Sequence, residues 1–345
     1  MLLLVAVLAT TGAVPGAARD LIAQGRALLA ANQPVAAREV LEQAVREAPR
    51  DALPAFLLGT AYEAAGGGLT SALAAHREAL RRDPGFAPAH DHLGVLLEGL
   101  RQPIEAEAEL RAAIAADPTL AEAHHHLGLL LQSLIGRSQE ALAPLREAAR
   151  LAPAEARFRR VLGIALHAAG ELGPAQTELR EATRLSRADA TAWTELGLVL
   201  VEQRRVREAR VVLERAVAVD PSEARAWRLL GKLALARGDR AGGLRALARA
   251  RSLAPSDPAS AAELCESEAA ARVPSASSAL DCRAATALRP RDVTLRLTTA
   301  RLLARAGDCG AAQEEVAALD QIPLANPGHL REGQGLLAAC RPTGR

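Results

Sequence analysis

Aromatic side chains are scarce in this chain: two tryptophans, one tyrosine and three phenylalanines in 345 residues. β-Branched residues are few as well, so the apolar half of the composition is mostly Ala and Leu. That mixture favours helices over sheets. A charge excess is also missing. The formal net charge is +2, which gives no electrostatic footprint for nucleic acid. Lysine is nearly absent; Lys232 is the single example. The longest early apolar run, Leu2 to Ala9, is too short to span a bilayer. No G-x-S-x-G elbow, P-loop or H-E-x-x-H occurs, and Gly66-Gly67-Gly68 is not followed by G-K-S or G-K-T. No catalytic residue and no cofactor is therefore expected. Cysteine is missing from the chain before Cys265, and no CxxC occurs anywhere.

What is present is most clearly seen in Ala190 to Pro221. Trp193, Leu196, Gly197 and Leu200 fall at i, i+3, i+4 and i+7, the stripe of one helix. Ala209, Leu213 and Ala216 mark one face of a second. Asp220-Pro221 ends it, since proline cannot continue a helix. The large ring of Trp193 is expected opposite Gly197, which would let the two backbones approach closely. One such pair cannot bury its apolar faces alone, so it needs neighbours like itself.

The neighbours are in the sequence. Glycine recurs at Gly25, Gly59, Gly94, Gly128, Gly163, Gly197 and Gly231, in steps of 34 or 35 residues. Alanine recurs with it at Ala44, Ala79, Ala113, Ala148, Ala182, Ala216 and Ala250. Pro49, Pro84, Pro118, Pro153, Pro221, Pro255 and Pro290 close most units, while repeat five has Arg187 instead. This W-x2-LG…A…P pattern at this period resembles the tetratricopeptide repeat. The resemblance covers residues 18–256 well and the rest more weakly. It implies an all-α fold, a right-handed TPR α-solenoid that is a superhelix of antiparallel helix pairs, with about nine pairs and a terminal helix.

The expected organisation is a signal peptide at 1–18, seven well-formed repeats at 19–256, and degenerate pairs with a capping helix at 257–345. The first segment resembles a secretory signal peptide, with Thr11-Gly12-Ala13 or Gly16-Ala17-Ala18 as the cleavage region. It lacks a positive n-region, so an uncleaved anchor or a capping helix is the alternative. In repeat four, Ser138 is expected to cap the second helix. Beyond Asp257, helices are expected at Ala259–Ala271, Ser275–Leu288, Val293–Arg305, Cys309–Leu319 and Pro327–Cys340.

The four cysteines admit two readings. Cys265 stands where the glycine should be and Cys282 at the large apolar position of the same pair. Cys309 begins one helix and Cys340 ends the next, antiparallel one. Disulfides Cys265–Cys282 and Cys309–Cys340 would each stabilise by ~3 kcal/mol. The other reading is four buried thiols acting as small apolar residues.

Histidines cluster at His90, His92, His124, His125 and His126, and adjacent first helices bring equivalent positions together. Imidazole clusters bind metals, but with no carboxylate support evident the expectation is no metal. Catalysis being unsupported, the expected function is a non-catalytic scaffold that binds a protein or peptide, not nucleic acid. The resemblance places first helices along a concave groove. The residues expected there are Phe56, Glu63, Asp91, Glu98 and His125, then Arg157, Arg160, Thr194, Arg225, Arg228 and Lys232. That makes the groove acidic and polar early and basic late, which reads either as a solvated Arg-rich face or as a site for an acidic or C-terminal-carboxylate peptide at its late end. The family's carboxylate clamp needs paired asparagines, and here Asn occurs only at Asn32 and Asn326. The expected location is the bacterial periplasm or another exported compartment, with no stable membrane span unless the N-terminal segment is uncleaved. Two alternatives remain: a cytosolic regulatory adaptor with free thiols, and a targeting module for a separate enzyme such as a glycosyltransferase.

Overall fold

The computed structural model describes residues 16–66, 68–270, 276–323 and 325–340. Among them are nineteen α-helices, one short 3₁₀ turn and no strand. The chain forms two compact units, Met1–Leu185 and Ser186–Arg345. The division falls where Arg187 replaces the recurrent proline.

The first unit holds α1 (Gly16–Ala30), α2 (Pro34–Glu47), α3 (Ala52–Ala64), α4 (Leu69–Arg82), α5 (Ala87–Gly99), α6 (Pro103–Ala116), α7 (Ala121–Ser133), α8 (Leu142–Leu151), α9 (Ala156–Ala168) and α10 (Leu172–Leu185). The second holds α11 (Ala190–Glu202), α12 (Val206–Val219), α13 (Ala224–Ala236), α14 (Arg240–Leu253), α15 (Pro258–Ala269), α16 (Ala276–Leu288), α17 (Val293–Arg305), α18 (Cys309–Ala317) and α19 (Pro327–Ala339). Within each unit consecutive helices form antiparallel pairs, and each second helix packs on the next first helix. First helices also touch one another directly, as α5 does α7 and α11 does α13. In both units, then, the first helices share one side of the stack.

The lock inside six of the pairs is a leucine, not an aromatic ring. A Cβ placed on Gly25, Gly94, Gly128, Gly163, Gly197 or Gly231 would collide with Leu41, Leu110, Leu145, Leu179, Leu213 or Leu247 respectively. Those six leucines have no exposed surface. The expectation of a ring opposite the glycine is thereby corrected. Trp193 lies half-buried at the edge of its pair, and its indole N–H donates to the Arg187 carbonyl at 3.1 Å. The recurrent alanines from Ala44 to Ala250 are all fully buried. Their methyl groups are what lets second helices lie close to their neighbours.

Helix ends follow local chemistry. The side chains of Asp51, Asp189, Asp239, Asp257, Asp292 and Asp308 accept backbone N–H groups at helix starts. Pro34 and Pro103 sit in first turns, where the missing N–H costs nothing. The described turns inside the pairs each hold one left-handed residue: Gly66, Gly136, Gly170, Gly238 and Gly307 supply it, but so do Asn32, Arg101 and Arg204. Ser138 does not cap a helix, because α8 begins only at Leu142 after Ala141. The helix expected to reach Leu319 ends at Ala317 and tightens into a 3₁₀ turn, Ala318–Gln321. The start of the expected signal peptide, residues 1–15, lies outside the described residues, as do Gly67 and Ser275. Gly16 to Ala18 begin α1, and Ala18 is fully buried there. No described helix is long and apolar enough to cross a membrane.

In the second unit Cys265 is joined to Cys282 and Cys309 to Cys340, with Cα separations of 4.8 and 5.8 Å. The first bond occupies the place of the glycine–leucine contact in its pair.

Candidate partner-binding face

The position three residues before each recurrent glycine lies between successive first helices. Six residues expected to line a groove sit there: Phe56, Asp91, His125 and Thr194 are buried, while the longer Arg160 and Arg228 stay half-buried and reach outward. The four buried ones are corrected to inter-repeat packing residues, since a buried side chain between two helices offers a partner no surface. Thr194 donates its hydroxyl to the Ala190 carbonyl, and His125 stacks on Phe158 at 4.6 Å.

The remaining expected residues keep exposed surface. Arg157, Arg225 and Lys232 are the most open, with side chains 41%, 50% and 54% exposed. Glu63, Glu98, Arg160 and Arg228 are half-buried. Their charges are not idle. Arg157 of α9 pairs with Glu122 of α7 at 3.0 Å and lies over the Phe158 ring. Arg225 of α13 pairs with Glu195 of α11 at 2.5 Å. Arg228 and Lys232 of α13 both reach one carboxylate oxygen of Glu263 on α15, at 2.9 and 3.0 Å. These are rungs between first helices, and they correct the picture of a plainly basic late groove: Arg157, Arg225, Arg228 and Lys232 each face a carboxylate. The Glu263 rung carries two cations against one anion. Beside it lies a cleft of about 420 Å³, lined by Lys232, Leu235, Glu263, Glu266, Ser267 and Arg289 among others.

The histidines do not gather at one point. His90 and His124 face the Pro84 and Pro118 carbonyls, each at 3.0 Å. Arg159, Trp193, Trp227 and Arg296 make the same contact to the carbonyl six residues earlier. Imidazole, indole and guanidinium interchange there because each presents an N–H at similar reach. His90 also meets Glu109 at 2.6 Å, and His126 meets Asp91 at 2.8 Å. Carboxylates therefore accompany these rings, contrary to the sequence reading.

The sequence reading missed one residue. His76 of α4 is fully buried against Gly59, where the other six repeats place leucine. The signal was available in the spacing Leu41, His76, Leu110. Its Nε2 lies 2.5 Å from Glu63 Oε1, and His92 Nδ1 lies 3.0 Å from the same oxygen. Burial alone would raise the Glu63 carboxyl, but hydrogen bonds from His76 and His92 outweigh it and bring it to about 2. Burial lowers His76 itself.

The tetratricopeptide-repeat family model matches residues 22–87 and 194–258. No protein of curated function matches the chain in sequence. Among solved structures, the chain is similar to Pseudomonas aeruginosa pilF at 26% identity and a TM-score of 0.55, covering 61% of this chain and 96% of that one. It is similar to PilW, a widely conserved type IV pilus biogenesis factor, at 20% identity and a TM-score of 0.53, covering 60% and 96%. A chain of the APC/C hetero-tetramer Cut9-Hcn1 matches at 16% identity and a TM-score of 0.58, covering 81% of this chain and 54% of its own.

Proposed function

The chain is a tetratricopeptide-repeat protein, a fold that serves as a protein-interaction scaffold, and from that premise we propose that it binds a protein or peptide partner on the first-helix face of its second unit, without catalysis. The observation that carries this is the set of charged rungs at Arg225, Arg228 and Lys232 beside the cleft. The partly exposed pairs of Arg228 and Lys232 with Glu263 contribute at most about 1 kcal/mol each. A partner carboxylate can therefore displace Glu263 at little cost and take a bidentate guanidinium contact from Arg228, whereas the buried Glu195 holds Arg225 more firmly. Three cations against two carboxylates leave the face selective for an acidic segment.

We place the protein in the periplasm or another exported compartment. Two cysteine pairs within bonding distance suit an oxidising environment, and Leu2 to Ala9 resembles the apolar part of an export signal.

The test is site-specific photo-cross-linking in cells of the source. A cross-linker at Arg225 or Lys232 is expected to trap a partner, and one at Arg210 on the second helix α12 is not. Equal trapping from Arg210, or none from the first-helix positions, rejects the assignment.

A further inference from the structure

We propose that Glu63, His76 and His92 form a binding site for one divalent metal ion of the zinc class, with water completing the coordination. Nothing in this depends on the partner-binding face, which lies in the other unit.

One repeat departs from the pattern of the others. Six of the seven recurrent glycines are filled by leucine, and only Gly59 is filled by an imidazole. Burying a polar ring at an apolar position is unfavourable unless its nitrogen is engaged. His76 has no exposed surface, and its Nδ1 has no hydrogen-bond partner among the described residues. All its polar interaction is thus directed through Nε2 toward Glu63. His92 points at the same carboxylate from the next repeat, so α3, α4 and α5 each deliver one donor to one spot. The ligating atoms all lie within 4.8 Å of one another.

The chemistry of the set is selective. Two imidazole nitrogens and one carboxylate oxygen suit zinc and its first-row neighbours, and are a poor match for calcium or magnesium, which take oxygen. A tetrahedral ion with bonds of about 2.0–2.1 Å needs its donors about 3.3 Å apart. The oxygen-to-nitrogen distances here are shorter, at 2.5 and 3.0 Å. Glu63 can open them, because its carboxylate ends a side chain with three torsions. The rings are held by packing instead: Phe56 meets His92 edge-on at 5.1 Å and His76 at 5.5 Å. One edge stays open. His92 and Glu63 side chains are 35% and 26% exposed, which leaves a route for the ion and room for a water ligand.

The experiment uses the full-length, untagged, oxidised protein stripped with chelator and titrated with zinc by calorimetry, with cobalt as a visible-absorption probe of tetrahedral nitrogen–oxygen coordination. One zinc per chain is expected. His76→Leu, which restores the residue found in the other repeats, and His92→Gln are each expected to weaken binding by at least about 100-fold. Circular dichroism checks that both variants keep their helix content, and zinc should raise the melting temperature of the wild type alone. Wild-type protein that binds zinc no better than either folded variant overturns the proposal, and shows the three side chains to be a hydrogen-bonded cluster only.

Discussion

At the scale of single residues, the buried polar groups decide most. His125 sits between first helices with 5% exposure. Burial first, then the charges of His126, Arg157 and Arg160, push its imidazole down to about 3. In the unfolded chain it titrates at its ordinary value of about 6.5. Its folded-state value is depressed, so the unfolded state takes up the proton first. The stability it permits is complete above about pH 6.5 and is lost progressively as pH falls toward 3. At pH 5 that loss is ~2 kcal/mol. Denaturant melts should therefore show His125→Leu narrowing the stability gap between pH 7 and pH 5, while leaving pH 7 stability nearly unchanged. An identical gap in both proteins would remove His125 as the cause. The pattern of glycines, alanines and prolines was legible at this scale. Burial of Phe56, Asp91, His125 and Thr194 was not, because it depends on how tightly successive first helices pack, which no single-repeat pattern encodes.

At the scale of the helix pair, the unit of construction is a small residue facing a large one. Glycine and leucine fill that role through six pairs, glycine and histidine in one, and Cys265 with Cys282 in the eighth. The fold was readable in the sequence because the glycine recurs with so little drift. His76 was missed because the leucine spaced between the glycine and the alanine was not followed as a column of its own. The cysteines follow the same columns, which is why both of their readings were available. The covalent version closes a loop of 17 residues in sequence, worth ~3 kcal/mol. A double variant, Cys265→Gly with Cys282→Leu, should restore the noncovalent lock, remain folded and lose less stability than Cys282→Ser alone. Thiol titration of the native protein under denaturing conditions should find no free thiol. Four titratable thiols would instead favour a reducing compartment.

At the scale of the whole molecule, each unit stacks pairs that have no interior of their own, and leaves its first helices side by side. The face that results is laced by partly exposed ion pairs rather than charged in blocks. Charge counting along the sequence located the cations, but their carboxylate partners stand 30 to 35 residues away and appear only once the repeats are stacked. That spacing makes the face available to a competitor: a rung between repeats can be exchanged for a rung to another molecule. The measurement that tests this most directly is the affinity of the trapped partner for the double variant Arg225→Glu with Lys232→Glu, with Arg210→Glu as the control. The account predicts at least a tenfold loss for the double variant and no change for the control, with unchanged helix content in both. Unchanged affinity in the double variant would contradict it.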